Sequence, residues 1–327
     1  MDPTDTHALH FTQAELAGAR AFNAKLARMP RFRIRNRFTP LLYQGLLRVS
    51  QIGADRRSRR HGVAVETRRV GWGGHQVMLR ILRPDGPVRG VVLDIHGGGW
   101  AIGNAAMDDQ LNLGLIAACD VAVVSVEYRL VRAGSPLQAA MDDCFAAAMW
   151  LVRGEHDFAG LPIVLVGESA GGHLGAATLQ RVRDETGGLA RFAGALLYYG
   201  VYDLAGSASV RAAGRDTLVL DGPGMLDAMR LLTPGMSDAA RRRAPLSPLF
   251  GDLAGMPSAL MVVGALDPLL DDTLAMAGRW GEVASVELHR VPEAPHGFVR
   301  FPTPVAAKVL ARSRDWVRER LAGFGSP

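Results

Sequence analysis

Residues 164–177, VLVGESAGGHLGAA, decide the fold. A run of buried-looking aliphatics ends at Gly167-Glu168-Ser169-Ala170-Gly171, and a helix-length stretch of small residues follows. Gly-x-Ser-x-Gly between a strand and a helix describes a turn so tight that only small flanking residues fit. Gly167 and Gly171 let neighbouring backbone pass close by, and the turn projects the Ser169 hydroxyl above the strand end. The Ala170 amide is left at a helix N-terminus, where negative charge is favoured. The five-residue pattern alone recurs by chance in many chains, so its weight comes from the strand before it and the helix after it.

Working outward, the same alternation continues along the chain. VAVETRRV (63–70) and HQVMLRIL (75–82) read as strands joined through a Gly-rich hairpin signal. GVVLDIH (90–96), VAVVSVEY (121–128), PIVLVGE (162–168) and FAGALLYY (192–199) are short, nearly continuous apolar runs. Such runs suit strands buried on both faces of a parallel sheet. SALMVVGA (258–265) and ASVELHRV (284–291) extend the series. Helices are expected over 104–119, 138–153, 170–184 and 304–322, which predicts an α/β chain with a mostly parallel sheet and right-handed crossovers. Residues 203–250 interrupt the pattern and read as an insertion over the sheet edge. Residues 1–60 read as helical, with an apolar set of Phe22, Phe32, Phe38, Leu41, Leu42, Leu46 and Leu47. The expected organisation is therefore a core of 61–202 and 251–327, an N-terminal segment of 1–60, and the 203–250 insertion.

Composition narrows the function classes. At 327 residues and 48% hydrophobic, the chain can build a substantial core, which argues against disorder. No stretch approaches 18 apolar residues, so no integral membrane association is expected, and the first residues lack the pattern of a signal peptide. The expected location is cytoplasmic. Cys119 and Cys144 stand alone and read as buried free thiols rather than as a disulfide framework or zinc site. Residues 1–70 carry 14 Lys/Arg against 5 Asp/Glu, with clusters at 28–38 and 56–60. These clusters raise nucleic acid or an anionic membrane as partners. The blander reading is a solvated arginine face, because Lys25 and Lys308 are the chain's sole lysines and arginine is its habitual cation. With no accompanying motif, no nucleic-acid binding is expected.

Ligands of open α/β sheets collect at the carboxyl ends of the strands, and three further sequences fall there. HGGGW (96–100) offers consecutive backbone amides unobstructed by side chains. Such donors stabilise an oxyanion, and losing one costs about 2.7–4 kcal/mol of barrier. A phosphate loop would want a Gly-Lys-Ser/Thr ending, which is missing. Gly98 and Gly99 are the candidate donors, ahead of Gly97, together with Ala170. His96 is expected to brace the loop by hydrogen bonding, and Trp100 either lines a substrate pocket or simply packs. In LDPLLDD (266–272), Asp267 sits where a strand-end carboxylate could orient a base; Asp271 is the reserve, and helix capping accounts for Asp271 and Asp272. In EAPHGF (293–298), His296 is the candidate base.

Ser169, Asp267 and His296 stand in the Ser…Asp…His order of α/β-hydrolases. Together with HGGG some 70 residues before the elbow, the chain from about 60 to 320 resembles the bacterial hormone-sensitive-lipase-like (family IV) esterases. SVEYRL (125–130) and YYGVYD (198–203) are also similar to that family's segments. The resemblance implies the α/β-hydrolase fold with a helical cap, hydrolysis of small carboxylic esters with short or medium acyl chains, and no cofactor or metal. It also makes a homodimer through an edge strand near 284–291 plausible. The chain departs from the pattern at Glu168, where Asp is common, and at Val131-Arg132-Ala133, where Ala-Pro-Glu is usual. It also lacks the methionine often found before the histidine. An amide or lactone hydrolase such as a formamidase would use the same groups. A ligand-binding protein on this scaffold, like plant gibberellin receptors, would lack the catalytic histidine.

Overall fold

A computed structural model describes residues 9–33, 39–132, 135–154 and 157–324. Phe38, Ala133 and the arginines at 35 and 37 lie outside the described residues. Three N-terminal helices, α1 (Gln13–Leu26), α2 (Thr39–Ser50) and α3 (Ala54–Arg60), precede the sheet. Strands β1 (Val63–Trp72) and β2 (His75–Pro84) form an antiparallel hairpin with Trp72 opposite His75. Both residues of the connecting turn, Gly73 (φ 54°) and Gly74 (φ 83°), have positive φ, as a type I′ turn requires.

The remaining strands are β3 (Gly90–Ile95), β4 (Val121–Glu127), β5 (Ile163–Glu168), β6 (Phe192–Tyr198), β7 (Ala259–Gly264) and β8 (Val286–Val291). The sheet order is β1-β2-β4-β3-β5-β6-β7-β8, with every neighbour pair from β4 onward parallel. All eight strands fall on the runs expected from the sequence. β3, β5 and β7 are buried at every position, the signature of strands covered on both faces, and β8 is an edge. Helices α4 (Asp109–Cys119) and α11 (Pro304–Ala322) pack one face, whereas α5 (Leu137–Arg153), α6 (Ala170–Thr186) and α10 (Leu270–Gly281) pack the other. Short helices α7 (Ala208–Ala212), α8 (Met225–Leu232) and α9 (Asp238–Arg241) lie between β6 and β7, in the stretch 203–250 expected as an insertion, hereafter the insertion.

The N-terminal segment divides its contacts. Helix α1 starts with a reciprocal cap between Thr12 and Glu15 and packs on α11, with Gly18 against Pro304 and Phe22 5.1 Å from Phe301. The following strap crosses the insertion: the Phe32 amide donates to the Val219 carbonyl (2.6 Å), and the Asp221 amide donates to that of Phe32 (3.0 Å). Arg31 donates to the carbonyls of Leu26, Met29 and Thr217, and Arg33 pairs with Asp221 at 2.7 Å. Two arginines expected to be solvated thus tie the strap to the insertion.

The reading of Asp271 and Asp272 as helix caps is corrected. They lie in the first turn of α10, but their carboxylates face away from its amides. Asp272 accepts from the amides of Tyr202 (2.7 Å) and Asp203 (2.8 Å), and Asp271 accepts from that of Ser209 (2.8 Å). The loop leaving β6 carries buried amides that no strand pairs, and Asp272 satisfies them, whereas Asp271 takes an amide in the first turn of α7. Both cysteines are buried free thiols, as expected.

Close backbone approach fixes α6 on the sheet. A side chain at Gly171 would run into the carbonyls of Ile95 and His96, and one at Gly167 would sit 2.5 Å from the Gly171 carbonyl. We expect Gly171→Ala to lower unfolding free energy by about 3 kcal/mol, the upper end of ordinary overpacking, because backbone must move. Gly278→Ala, which meets nothing within 4 Å, serves as the control in the same denaturant titration.

Candidate active site

The strand ends bring the candidate residues together. Ser169 follows β5 with φ 54° and ψ −118°, a conformation that L-residues rarely adopt. It is held there by its own amide donating to the Tyr198 carbonyl (2.9 Å) and by the His173 amide donating to the Ser169 carbonyl (3.2 Å). Strain of this kind costs about 1–3 kcal/mol and persists only where the surroundings impose it.

Asp267 and His296 arrive from the loops after β7 and β8. His296 Nε2 lies 3.0 Å from Ser169 Oγ, and its Nδ1 lies 2.9 Å from Asp267 Oδ2. The other carboxylate oxygen, Asp267 Oδ1, accepts from the Leu269 amide at 2.8 Å, which fixes the carboxylate plane. Burial disfavours the imidazolium. The charge and hydrogen bond of Asp267, joined by the charge of Glu168, outweigh that cost, so the His296 pKa stands above its ordinary 6.5.

The glycine loop after β3 closes over Ser169. Gly98 (φ 103°) and Gly99 (φ 57°) both take positive φ, and a side chain at Gly98 would strike the Ile102 carbonyl. Among the described residues, neither amide is engaged by an acceptor, and both glycines line the cavity beside Ser169. His96 stacks on Tyr128 (4.1 Å between ring centres) and its Nδ1 lies 2.8 Å from the Gly97 carbonyl. Burial pushes the His96 pKa down to about 4, which suits a bracing imidazole kept neutral. Trp100 does both things expected of it in the alternative: it lines the cavity and packs. Its indole Nε1 donates to His173 Nδ1 (3.1 Å), and His173 Nε2 therefore carries the proton donated to the Leu246 carbonyl (2.7 Å). His173, its pKa lowered to about 4 by burial, joins the glycine loop, α6 and the insertion.

Besides His173, two residues were missed from the sequence. Arg300, four residues past His296, donates to Glu168 (Nε to Oε1, 2.8 Å), to Asp108 and to the Met107 carbonyl. Tyr199 (φ 38°) donates its hydroxyl to Glu168 Oε2 (3.0 Å) and sets its ring 4.8 Å from that of His296. Glu168, standing where the resembled family commonly has Asp, thus anchors the elbow to the histidine loop. The available signal was an arginine on that loop opposite an acidic elbow, visible only once the two loops are known to meet. On the outer side, Asn23 Nδ2 donates to the Glu293 carbonyl at 2.7 Å, so α1 braces the same loop.

The cavity above Ser169 measures about 340 Å³. Its walls come from the strap and α2 (Phe32, Tyr43, Leu47) and from the insertion (Val219, Leu220, Met225, Ala228, Met229, Leu232), and are mainly apolar. Among the described residues, no group of three or more His, Cys, Asp and Glu side chains could hold a metal ion.

A family described by the alpha/beta hydrolase fold matches residues 92–300 of the chain. A carboxylesterase of Mycobacterium tuberculosis, NlhH, is 33% identical over 260 residues, covering 76% of this chain and 80% of that protein. Among solved structures, the esterase LipW from Mycobacterium marinum superposes with a TM-score of 0.79 at 28% identity, covering 91% of this chain and 95% of its own. An esterase of the bacterial hormone-sensitive lipase family gives 0.73 at 25% identity, with 95% and 100% covered.

The conformation of Ser169 yields a stability prediction. Ser169→Gly removes the side chain from a strained backbone and is expected to raise unfolding free energy by about 1 kcal/mol, as read by urea denaturation. An unchanged or lower midpoint would mean that the hydroxyl's contacts outweigh the strain.

Proposed function

The chain belongs to the α/β-hydrolase fold family, in its hormone-sensitive-lipase-like esterase branch, and on that premise we propose that it is a serine carboxylesterase working through a covalent acyl-enzyme. The observation that carries this reading is the unbroken run of hydrogen bonds from Asp267 through His296 to Ser169, ending at the wall of an apolar cavity.

In this mechanism His296 takes the Ser169 proton as Oγ attacks the ester carbonyl carbon. Asp267 holds the imidazole in the tautomer with its proton on Nδ1 and stabilises the imidazolium as it forms. The amides of Gly98, Gly99 and Ala170 receive the oxyanion; the lack of a competing acceptor at the two glycine amides among the described residues and their bare approach to the cavity support the assignment. The intermediate collapses, the C–O bond to the alcohol breaks, and His296 gives its proton to the departing oxygen. Water then attacks the acyl-enzyme with His296 as base, and the acid leaves as Ser169 regains its proton.

The apolar walls accept the acyl chain and exclude water. A cavity of about 340 Å³ lies at the small end of ligand pockets, which favours short to medium chains. Each methylene buried there contributes roughly 0.8 kcal/mol to binding until the walls are reached. The strap, α2 and the insertion act as the cap in this reading, and Trp100 fixes the loop as well as lining the pocket.

Ser169→Ala is expected to abolish p-nitrophenyl butyrate turnover and labelling by a fluorophosphonate probe while keeping a folded circular-dichroism spectrum. Retained turnover would refute the assignment. Because the base works neutral and its pKa is raised, kcat/KM should fall as pH drops, through an acid limb centred above 6.5. Asp267→Asn removes the charge that raises it, so that limb should move to lower pH while kcat falls by roughly 10³–10⁴-fold. A pH–rate profile of both proteins measures the displacement and its sign.

A further inference from the structure

Helix α2 presents two faces of opposite use. Tyr43 and Leu47 line the cavity, and buried Gln44 exchanges hydrogen bonds with the Gly103 backbone in both directions, each 2.9 Å. At 100° per residue, Leu41, Leu42, Leu46 and Val49 fall on the other side, and their exposures are 54, 66, 60 and 64%. Ile52, in the turn that follows, prolongs the stripe at 74% exposure. Scattered exposed leucines are ordinary, but five large aliphatics on one continuous face of a helix and its following turn are not.

Charge surrounds this stripe. Arg48 lies on the same helix, at the border of the apolar face, and Arg56, Arg57, Arg59 and Arg60 follow on α3, all exposed. Arg57 reaches back to donate to the Ile52 carbonyl at 3.0 Å, which sets α3 beside the end of the stripe. Among the described residues, Arg48, Arg56, Arg59 and Arg60 are in no ion pair, whereas Arg80, Arg129, Arg181 and Arg312 each engage carboxylates. Arg48 acts on the Glu127 carboxylate, so the arginines here without a carboxylate partner among the described residues are Arg56, Arg59 and Arg60, at the end of the uncovered stripe.

We propose that this face docks on an anionic lipid bilayer, with α2 lying in the interface plane, its aliphatics among the acyl chains and the arginines among the headgroups. An apolar stripe flanked by basic residues is the pattern of helices that lie on such surfaces. Among the described residues no helix is long and apolar enough to cross a membrane, so the contact is peripheral. A second copy of the chain is the competing occupant: apposing two α2 faces in parallel about a two-fold axis would bring the arginine groups of both copies together, whereas an anionic bilayer answers the apolar stripe and the positive charge at once. The inference rests on the outer face of α2 and is independent of the reaction assigned to Ser169.

The test is flotation of the full chain with extruded vesicles at 0.1 M salt. Vesicles of phosphatidylglycerol and phosphatidylcholine (3:7) should carry the protein, and phosphatidylcholine vesicles should carry at least tenfold less. The triple variant Leu42→Ser/Leu46→Ser/Val49→Ser should lose at least tenfold in partitioning to the anionic vesicles. Arg56→Gln/Arg59→Gln/Arg60→Gln should bind more weakly and respond less to added salt. Both variants should keep the wild-type melting temperature and p-nitrophenyl butyrate turnover, since none of these residues lines the cavity. Absence of wild-type flotation, or equal flotation of the serine variant, would overturn the proposal. So would a concentration-dependent dimer in sedimentation that the serine substitutions dissociate, since the face would then belong to a second copy.

Discussion

Everything in the site depends on how closely three pieces of backbone pass one another at the end of β5. Gly167 admits the carbonyl of Gly171, and Gly171 admits those of Ile95 and His96. Two bare positions therefore let α6, the elbow and the glycine loop occupy nearly the same space. The strained φ of Ser169 is the cost of that crowding, about 1–3 kcal/mol by comparison with similar outliers. The packing beneath it is dense and fully buried along β3 and β5, and this is what keeps the turn from relaxing.

A second tie converts neighbouring loops into one assembly. Glu168, next to Ser169, meets Arg300, which is four residues from His296. Elbow and histidine loop are joined by an ion pair between buried Glu168 and partly exposed Arg300 rather than by packing alone, and Tyr199 adds its hydroxyl to the same carboxylate. Removing Arg300 would leave the buried Glu168 charge without its cation, a larger loss than the pair's net contribution. The same carboxylate adds to the negative potential felt by His296, so one side chain both fastens the loop and biases its base.

Much of this was legible from residue order. Strands β3 to β7 show as short aliphatic runs, since a strand buried on both faces has few polar positions to blur it, whereas β1, β2 and β8 show through alternation and a hairpin turn. Ser169, Asp267 and His296 stand out because each follows a strand, and the structure brings all three into hydrogen-bond reach. What failed to show were partnerships between segments far apart in sequence. Asp271 and Asp272 sit where caps of their own helix belong, yet they serve α7 and the loop after β6, because helix periodicity says nothing about a neighbour's unpaired amides. Arg300, before α11, and His173, inside α6, look ordinary until the sheet order places them opposite Glu168 and Trp100. The arginine-rich N-terminus split in the same way: Arg31 and Arg33 hold the strap, whereas those of α3 remain in solvent.

The cavity walls have a different origin from the reacting groups. Ser169, Asp267, His296 and the glycine loop are all set by strand termini, but the strap and residues 219–232 stand outside the sheet and meet each other through a short β-bridge at Phe32 and Leu220 and the Arg33–Asp221 ion pair. Replacements along residues 219–232 therefore reshape the hollow without touching Ser169, Asp267 or His296. On the reaction proposed above, a laboratory library confined to that stretch would vary which molecules fit while the three hydrogen-bonded side chains stay as they are.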